Sequence, residues 1–182
     1  MQELRSKIRD VPDFPKAGIV FKDLTPLLAD PAALALAVEL MANPFRGKDI
    51  DLVVGAESRG FIFGTAIAQS LSAGFVPVRK PGKLPRQVHS VEYQLEYGMD
   101  RLEIHAQDIF KGHRCLLVDD LLATGGTMHA ACELVSRCDA EIVGMTVLIE
   151  LAFLNGRDSL ERIAPVHSVL RYETDAENHA TN

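Results

Sequence analysis

No segment of this chain approaches the roughly 20 consecutive apolar residues of a membrane-spanning helix, and the opening MQELRSKIRD lacks the apolar core of a signal peptide. A cytoplasmic protein without membrane contact is the expectation. Positive charge is scarce as well: 19 Lys and Arg stand against 25 Asp and Glu, for a formal net charge of -6. That balance argues against a general binder of nucleic acid or anionic membranes, so any anion must be captured by a local site. The three cysteines, Cys115, Cys132 and Cys138, are an odd number without CxxC spacing and sit in apolar patterns, which marks them as reduced core residues. The six histidines show no HxxxH or HxH spacing, and no transition-metal site is legible. Missing too are GxxxxGK[ST] and GxGxxG, which disfavours a Walker-type ATPase or a dinucleotide site. No internal repeat or low-complexity segment occurs.

What is present fits one domain spanning residues 1–182, with 47% hydrophobic and 24% charged residues. A chain of this length buries about 70% of its unfolded surface, enough for a large core. Apolar runs rich in β-branched residues at 51–55, 74–78, 114–120 and 141–151 alternate with helix-like stretches at 31–42, 60–72 and 126–138. Such alternation predicts βαβ units, hence an α/β fold with a mostly parallel central sheet flanked by helices. Asp30 and Pro31 predict the cap and first turn of the first of these helices. Residues 10–26, with Pro12, Pro15, Gly18 and Pro26, predict an irregular arm, part of a hood over 1–30. Residues 80–101 predict a flexible lid loop in which VEYQLEY forms a short hairpin, and 173–182 a frayed tail.

The chemistry concentrates in LLVDDLLATGGT, residues 116–127. Strand, acid pair, glycine pair and helix follow in order within 25 residues. The N–H groups and positive dipole end of the helix beginning near Thr124 form an anion site, and Gly125 and Gly126 let its backbone come close. Asp119 and Asp120 stand at the mouth of the same crevice, because ligands of open α/β sheets bind beyond the carboxyl ends of the strands. A bare phosphate would be repelled by them, at about 4 kcal/mol per unit charge at 4 Å for an effective dielectric of about 20. The ligand must therefore have two ends. A ribose 5-phosphate does, with its phosphate on the glycine loop and its vicinal hydroxyls donating to the acids. The acids also favour positive charge developing on the sugar.

CLLVDDLLATGGT closely resembles the phosphoribosyl diphosphate (PRPP) motif of type I phosphoribosyltransferases, and its ATGGT ending is similar to that of the adenine-using members. The resemblance extends through DFPKAGIVFKDLTPLL, GAESRGFIFG, VRKPGKLP and LEYGMDRLEIH, and thins after about Glu150. It implies transfer of the 5-phosphoribosyl group from PRPP to adenine, giving AMP and pyrophosphate. It also implies Mg2+, mainly brought by PRPP and within reach of Asp119 and Asp120, and a homodimer. By the match, Asp119 and Asp120 hold the ribose and serve catalysis, while Ala123, Thr124, Gly125, Gly126 and Thr127 hold the 5-phosphate. Glu57, Ser58 and Arg59 bind pyrophosphate together with Arg79, Lys80 and Lys83, and the resemblance leaves open whether the peptide between Glu57 and Ser58 is cis. Val20, Phe21 and Lys22 bind adenine, although many relatives carry arginine where Lys22 stands. Glu96 and Tyr97 belong to the lid, with Glu96 assisting proton movement at the purine nitrogens. Two alternatives stay open at this point: another base as acceptor, or a non-catalytic PRPP-binding regulator.

Overall fold

A computed structural model describes residues 1–94 and 99–174, and of Gln94 only the backbone. The chain runs α1 (Gln2–Arg5), β1 (Arg9–Pro12), β2 (Val20–Asp23), α2 (Thr25–Ala29), α3 (Pro31–Ala42), β3 (Leu52–Ala56), α4 (Gly60–Leu71) and β4 (Gly74–Val78). It continues with β5 (Val88–Gln94), β6 (Met99–His105), β7 (Arg114–Leu122), α5 (Gly126–Ser136), β8 (Glu141–Leu151), α6 (Arg157–Leu160) and β9 (Val166–Tyr172). The central sheet has the order β4-β3-β7-β8-β9 and is parallel throughout.

Burial on both faces explains the unbroken apolar runs of its strands. Side chains alternate across a strand. Val53, Leu116 and Val118 enter one core with α3 and α4, whereas Val54, Cys115 and Leu117 enter the other with α5 and the β5–β6 hairpin. Cys132 belongs to the second core and Cys138 packs at its edge, so all three thiols are free and structural. Burial pushes the Cys115 and Cys132 thiols up to about 12, which leaves them protonated and inert. Asp30 caps α3 by accepting from the Ala32 and Ala33 amides at 3.0 and 3.1 Å, with Pro31 in the first turn as its fixed φ favours.

Three elements differ from the sequence expectation. The arm is not irregular: β1 and β2 pair antiparallel, Arg9 opposite Asp23 through Pro12 opposite Val20, and α2 follows. Proline is tolerated there because this ribbon is two-stranded, so an edge position needs no ladder N–H. Within 80–101 the hairpin expected over VEYQLEY is a longer β-ribbon, Val88–Gln94 against Met99–His105. Val91, Leu102 and Ile104 are buried in the second core, and Arg137 of α5 donates to the Ser90 carbonyl at 2.6 Å. The edge strand β9 has no counterpart among the sequence-expected strands. Its His167, Ser168 and Arg171 break the apolar run, although Val169, Leu170 and Tyr172 are buried.

Candidate active site

The sheet order locates the site before any side chain is considered. From β3 the chain steps outward to β4, and after the hairpin it returns to β7 on the other side of β3, so the connections diverge between β3 and β7. Ligands of open α/β sheets sit at such a switch point, beyond the carboxyl ends of the strands. The β3–β7 ladder stops at Gly55 opposite Val118, whereas β7 stays paired with β8 as far as Leu122 opposite Glu150. Asp119 and Asp120 thus lie inside β7 rather than past its end, at the point where its β3 neighbour has turned away. A cavity of about 310 Å³ opens there, lined by 57–59 on one side and 119–128 on the other.

Asp120 is buried and Asp119 half-buried. The Asp120 amide donates to Asp119 Oδ1 at 2.9 Å, and Arg59 Nη2 stands 2.9 Å from Asp120 Oδ2 as an ion pair. Burial, with the Asp120 charge beside it, pushes the Asp119 carboxyl well above the usual carboxylate range. Burial raises Asp120 as well, against the pull of Arg59. The acid pair is therefore poised for a ligand that brings hydroxyl donors or positive charge. Below it, Gly125 adopts φ 89° and α5 begins at Gly126. Residues 123–127 line the cavity with the amides of that first turn.

The peptide between Glu57 and Ser58 is cis. Glu57 and Ser58 line the cavity, but the basic cluster does not. Arg79 Nε and Lys83 Nζ each lie 2.8 Å from the buried Glu57 carboxylate, Lys80 pairs with Asp100, and Arg86 meets Asp108 at 2.6 Å. Burial alone would raise Glu57, but hydrogen bonds from Lys83, Arg79 and the Lys80 amide hold it below its ordinary value. A buried carboxylate needs these cations, and that need draws Arg79 and Lys83 to Glu57 rather than toward Asp119 and Asp120. Arg59 differs from them. Besides Asp120, it donates to the Lys22 carbonyl at 3.3 Å and lies over the Phe21 ring at 4.9 Å.

Arg59 thereby stands between the first cavity and a second, of about 580 Å³, that also shares Leu121, Ala123 and Thr124. Val20, Phe21 and Lys22 from β2 form one wall, and Leu151, Phe153 and Leu154 another. The Lys22 ammonium is engaged elsewhere: it is 2 % exposed, 2.7 Å from Asp10 Oδ1 and 4.4 Å from the centre of the Tyr172 ring. No sequence motif pointed to Phe153 or Leu154, which lie after β8 where the family resemblance thins. The Asn155-Gly156 pair, a turn signal, was the available mark that the chain bends there. Glu96 and Tyr97 lie outside the described residues. Among the described residues no cluster of three His, Cys, Asp or Glu forms a metal site, and no helix is long and apolar enough to cross a membrane.

Comparison with known proteins follows the same outline. The phosphoribosyl transferase domain model matches residues 24–180. An adenine phosphoribosyltransferase of Rhodopirellula baltica is 57% identical over 175 residues, covering 95% of this chain and 84% of that protein. One of Methylococcus capsulatus is 55% identical over 172 residues, covering 94% and 100%. Among solved structures, adenine phosphoribosyltransferase from Rhodothermus marinus is similar with a TM-score of 0.90 at 52% identity, over 94% of this chain and 97% of that one. The Saccharomyces cerevisiae enzyme, solved with adenine and an imino-altritol bisphosphate, is similar with a TM-score of 0.87 at 40% identity, over 93% and 97%.

Proposed function

The chain belongs to the phosphoribosyl transferase family, and from that premise we propose how its residues transfer the 5-phosphoribosyl group of PRPP to adenine, giving AMP and pyrophosphate in purine salvage. One observation carries the proposal. An acid pair and an anion cradle share one cavity at the switch point, and a second cavity walled by Phe21, Phe153 and Leu154 adjoins it. A sugar phosphate and an apolar base need these two environments side by side.

The 5-phosphate is held by the amides and hydroxyls of 123–127, and the ribose hydroxyls donate to Asp119 and Asp120. In the substitution, the bond from the anomeric carbon to the diphosphate oxygen breaks while a purine ring nitrogen bonds to that carbon. Positive charge grows on the sugar in between. The ionised acids stabilise that charge without needing to reorganise. The diphosphate leaves toward Ser58 and Arg59, with Arg79, Lys80 and Lys83 contributing positive charge at longer range. Adenine lies against Val20 and Phe21, and the backbone of β2 reads its edge. Glu96 takes part in moving the purine proton, and Tyr97 belongs to the same lid segment.

Asp119 and Asp120 offer the oxygen donors that Mg2+ prefers, and with only two carboxylates its remaining ligands would come from PRPP and water. Bound there, the ion would neutralise diphosphate charge. The family reading also carries a cytoplasmic location and a homodimer, and sedimentation of the purified protein tests the dimer. The reaction itself is tested by incubating the protein with PRPP, Mg2+ and each purine or pyrimidine base and following nucleotide formation. AMP from adenine is expected. Turnover with hypoxanthine but not adenine would overturn the base assignment.

A further inference from the structure

The segment 151–156 borders both halves of the site. Leu151, Phe153 and Leu154 line the second cavity, and Gly156 lies against the glycine loop of the first. A methyl group on Gly156 would fall 2.2 Å from the Ala123 carbonyl oxygen, 2.8 Å from the Thr124 carbonyl carbon and 2.9 Å from the Gly125 nitrogen. Seen from the other side, a methyl group on Gly125 would fall 2.9 Å from the Gly156 carbonyl oxygen. Two backbones are in contact with no side chain between them. Gly156 has φ -64°, an ordinary right-handed value, so glycine is required there for space and not for conformation.

The approach is fixed on both flanks. His129, in the first turns of α5, meets Ser159 Oγ at 2.6 Å across the gap. Arg157 is held by the buried Glu150 at 2.9 and 2.5 Å and donates to the Val166 carbonyl at 2.7 Å. Burial would raise Glu150, but Arg157 and Ser168 hold it below the usual carboxylate range, so this anchor stays charged. The chain from 156 to 159 is thus tied to the sheet at one end and to α5 at the other.

We propose that Gly156 is a positioning residue for the 5-phosphate cradle, acting through the backbone of 123–125, against which it packs. The proposal rests on the assignment of 123–127 as that cradle. Any side chain at 156 displaces the loop, and amides aimed at a phosphate lose alignment and strength together. Adenine meets this loop only at Ala123 and Thr124, on the edge that the second cavity shares, and is affected less.

The test is calorimetric titration of ribose 5-phosphate, and separately of adenine, into the full chain and its Gly156→Ala, Ser159→Ala and Thr127→Ala variants. Gly156→Ala is expected to weaken ribose 5-phosphate binding about tenfold or more, as small displacements of positioning groups do, with adenine changed less than about threefold. Ser159→Ala, which removes one tie and leaves the glycine contact, is expected to weaken it roughly two- to fivefold. A purely structural glycine would lower the melting temperature and the active fraction while leaving the ribose 5-phosphate dissociation constant of the folded fraction unchanged; that result overturns the proposal. Should Gly156→Ala fail to fold, Ser159→Ala decides by the same criterion. Thr127→Ala separates the two levels of failure. If it too leaves ribose 5-phosphate binding unchanged, the cradle assignment has failed; if it alone weakens binding, the cradle stands and the role of Gly156 is rejected.

Discussion

The two cavities differ in how they are made. The first, the proposed sugar-phosphate side, comes mainly from one stretch, 119–127, running from a central strand through a turn into a helix. The second, the proposed base side, is assembled from β2 and the chain before it, Arg59, the end of β7 and the end of β8 with the chain after it, segments remote in sequence. Contiguity makes the first site legible, because strand, turn and helix dictate its shape locally. The second depends on tertiary placement, and it shares Arg59, Leu121, Ala123 and Thr124 with the first. Arg59 touches both sides, bridging Asp120 and the Lys22 carbonyl.

The largest expected loss follows from breaking the contiguous side. Gly125→Val places a β-branched side chain at φ 89° and against the Gly156 carbonyl, and should lower kcat/KM for PRPP by about 100-fold or more. Steady-state kinetics on folded protein would show it. Asp119→Asn should cost about 100-fold in kcat/KM, yet raise the melting temperature at pH 7 by roughly 2–4 °C for each kcal/mol of relieved strain. The sign follows from its raised carboxyl. An acid whose folded pKa exceeds its unfolded value destabilises the fold when ionised. The cost is fully present above the folded pKa and vanishes as pH falls toward the unfolded value near 3.9. The thermal advantage of the Asn variant should therefore shrink on acidification, and a variant less stable than the parent at pH 7 would contradict the assignment.

On the assembled side the effects are smaller and confined to the base. Phe21→Ala should raise KM for adenine roughly tenfold while leaving ribose 5-phosphate affinity within about threefold. Lys80→Ala sharpens the boundary of the site. Lys80 pairs with Asp100 away from the first cavity, so its loss should change KM for PRPP by less than about threefold, as partly exposed ion pairs contribute little.

The same contrast explains what could be read in advance. The bounds of α3 were legible because Asp30 and Pro31 mark its start, and β4 and β8 because sheet strands covered on both faces stay apolar throughout. The acid pair and glycine loop were legible because their spacing is local. The β1–β2 ribbon was not, since its prolines and glycines read as irregular chain, and their tolerance depends on an edge position that only the fold supplies. Glu57 illustrates another limit. Its carboxylate pairs with both Arg79 and Lys83, a pairing that follows from burial, and no spacing rule reports burial. Phe153, Leu154 and Gly156 acquire meaning only because β8 delivers them beside β7.

The most direct test of separately built halves is a paired titration of ribose 5-phosphate and adenine into Asp119→Asn and Phe21→Ala. Asp119→Asn should lose about tenfold or more in ribose 5-phosphate affinity with adenine little changed, and Phe21→Ala should show the reverse. Equal losses of both ligands in both variants would contradict the division.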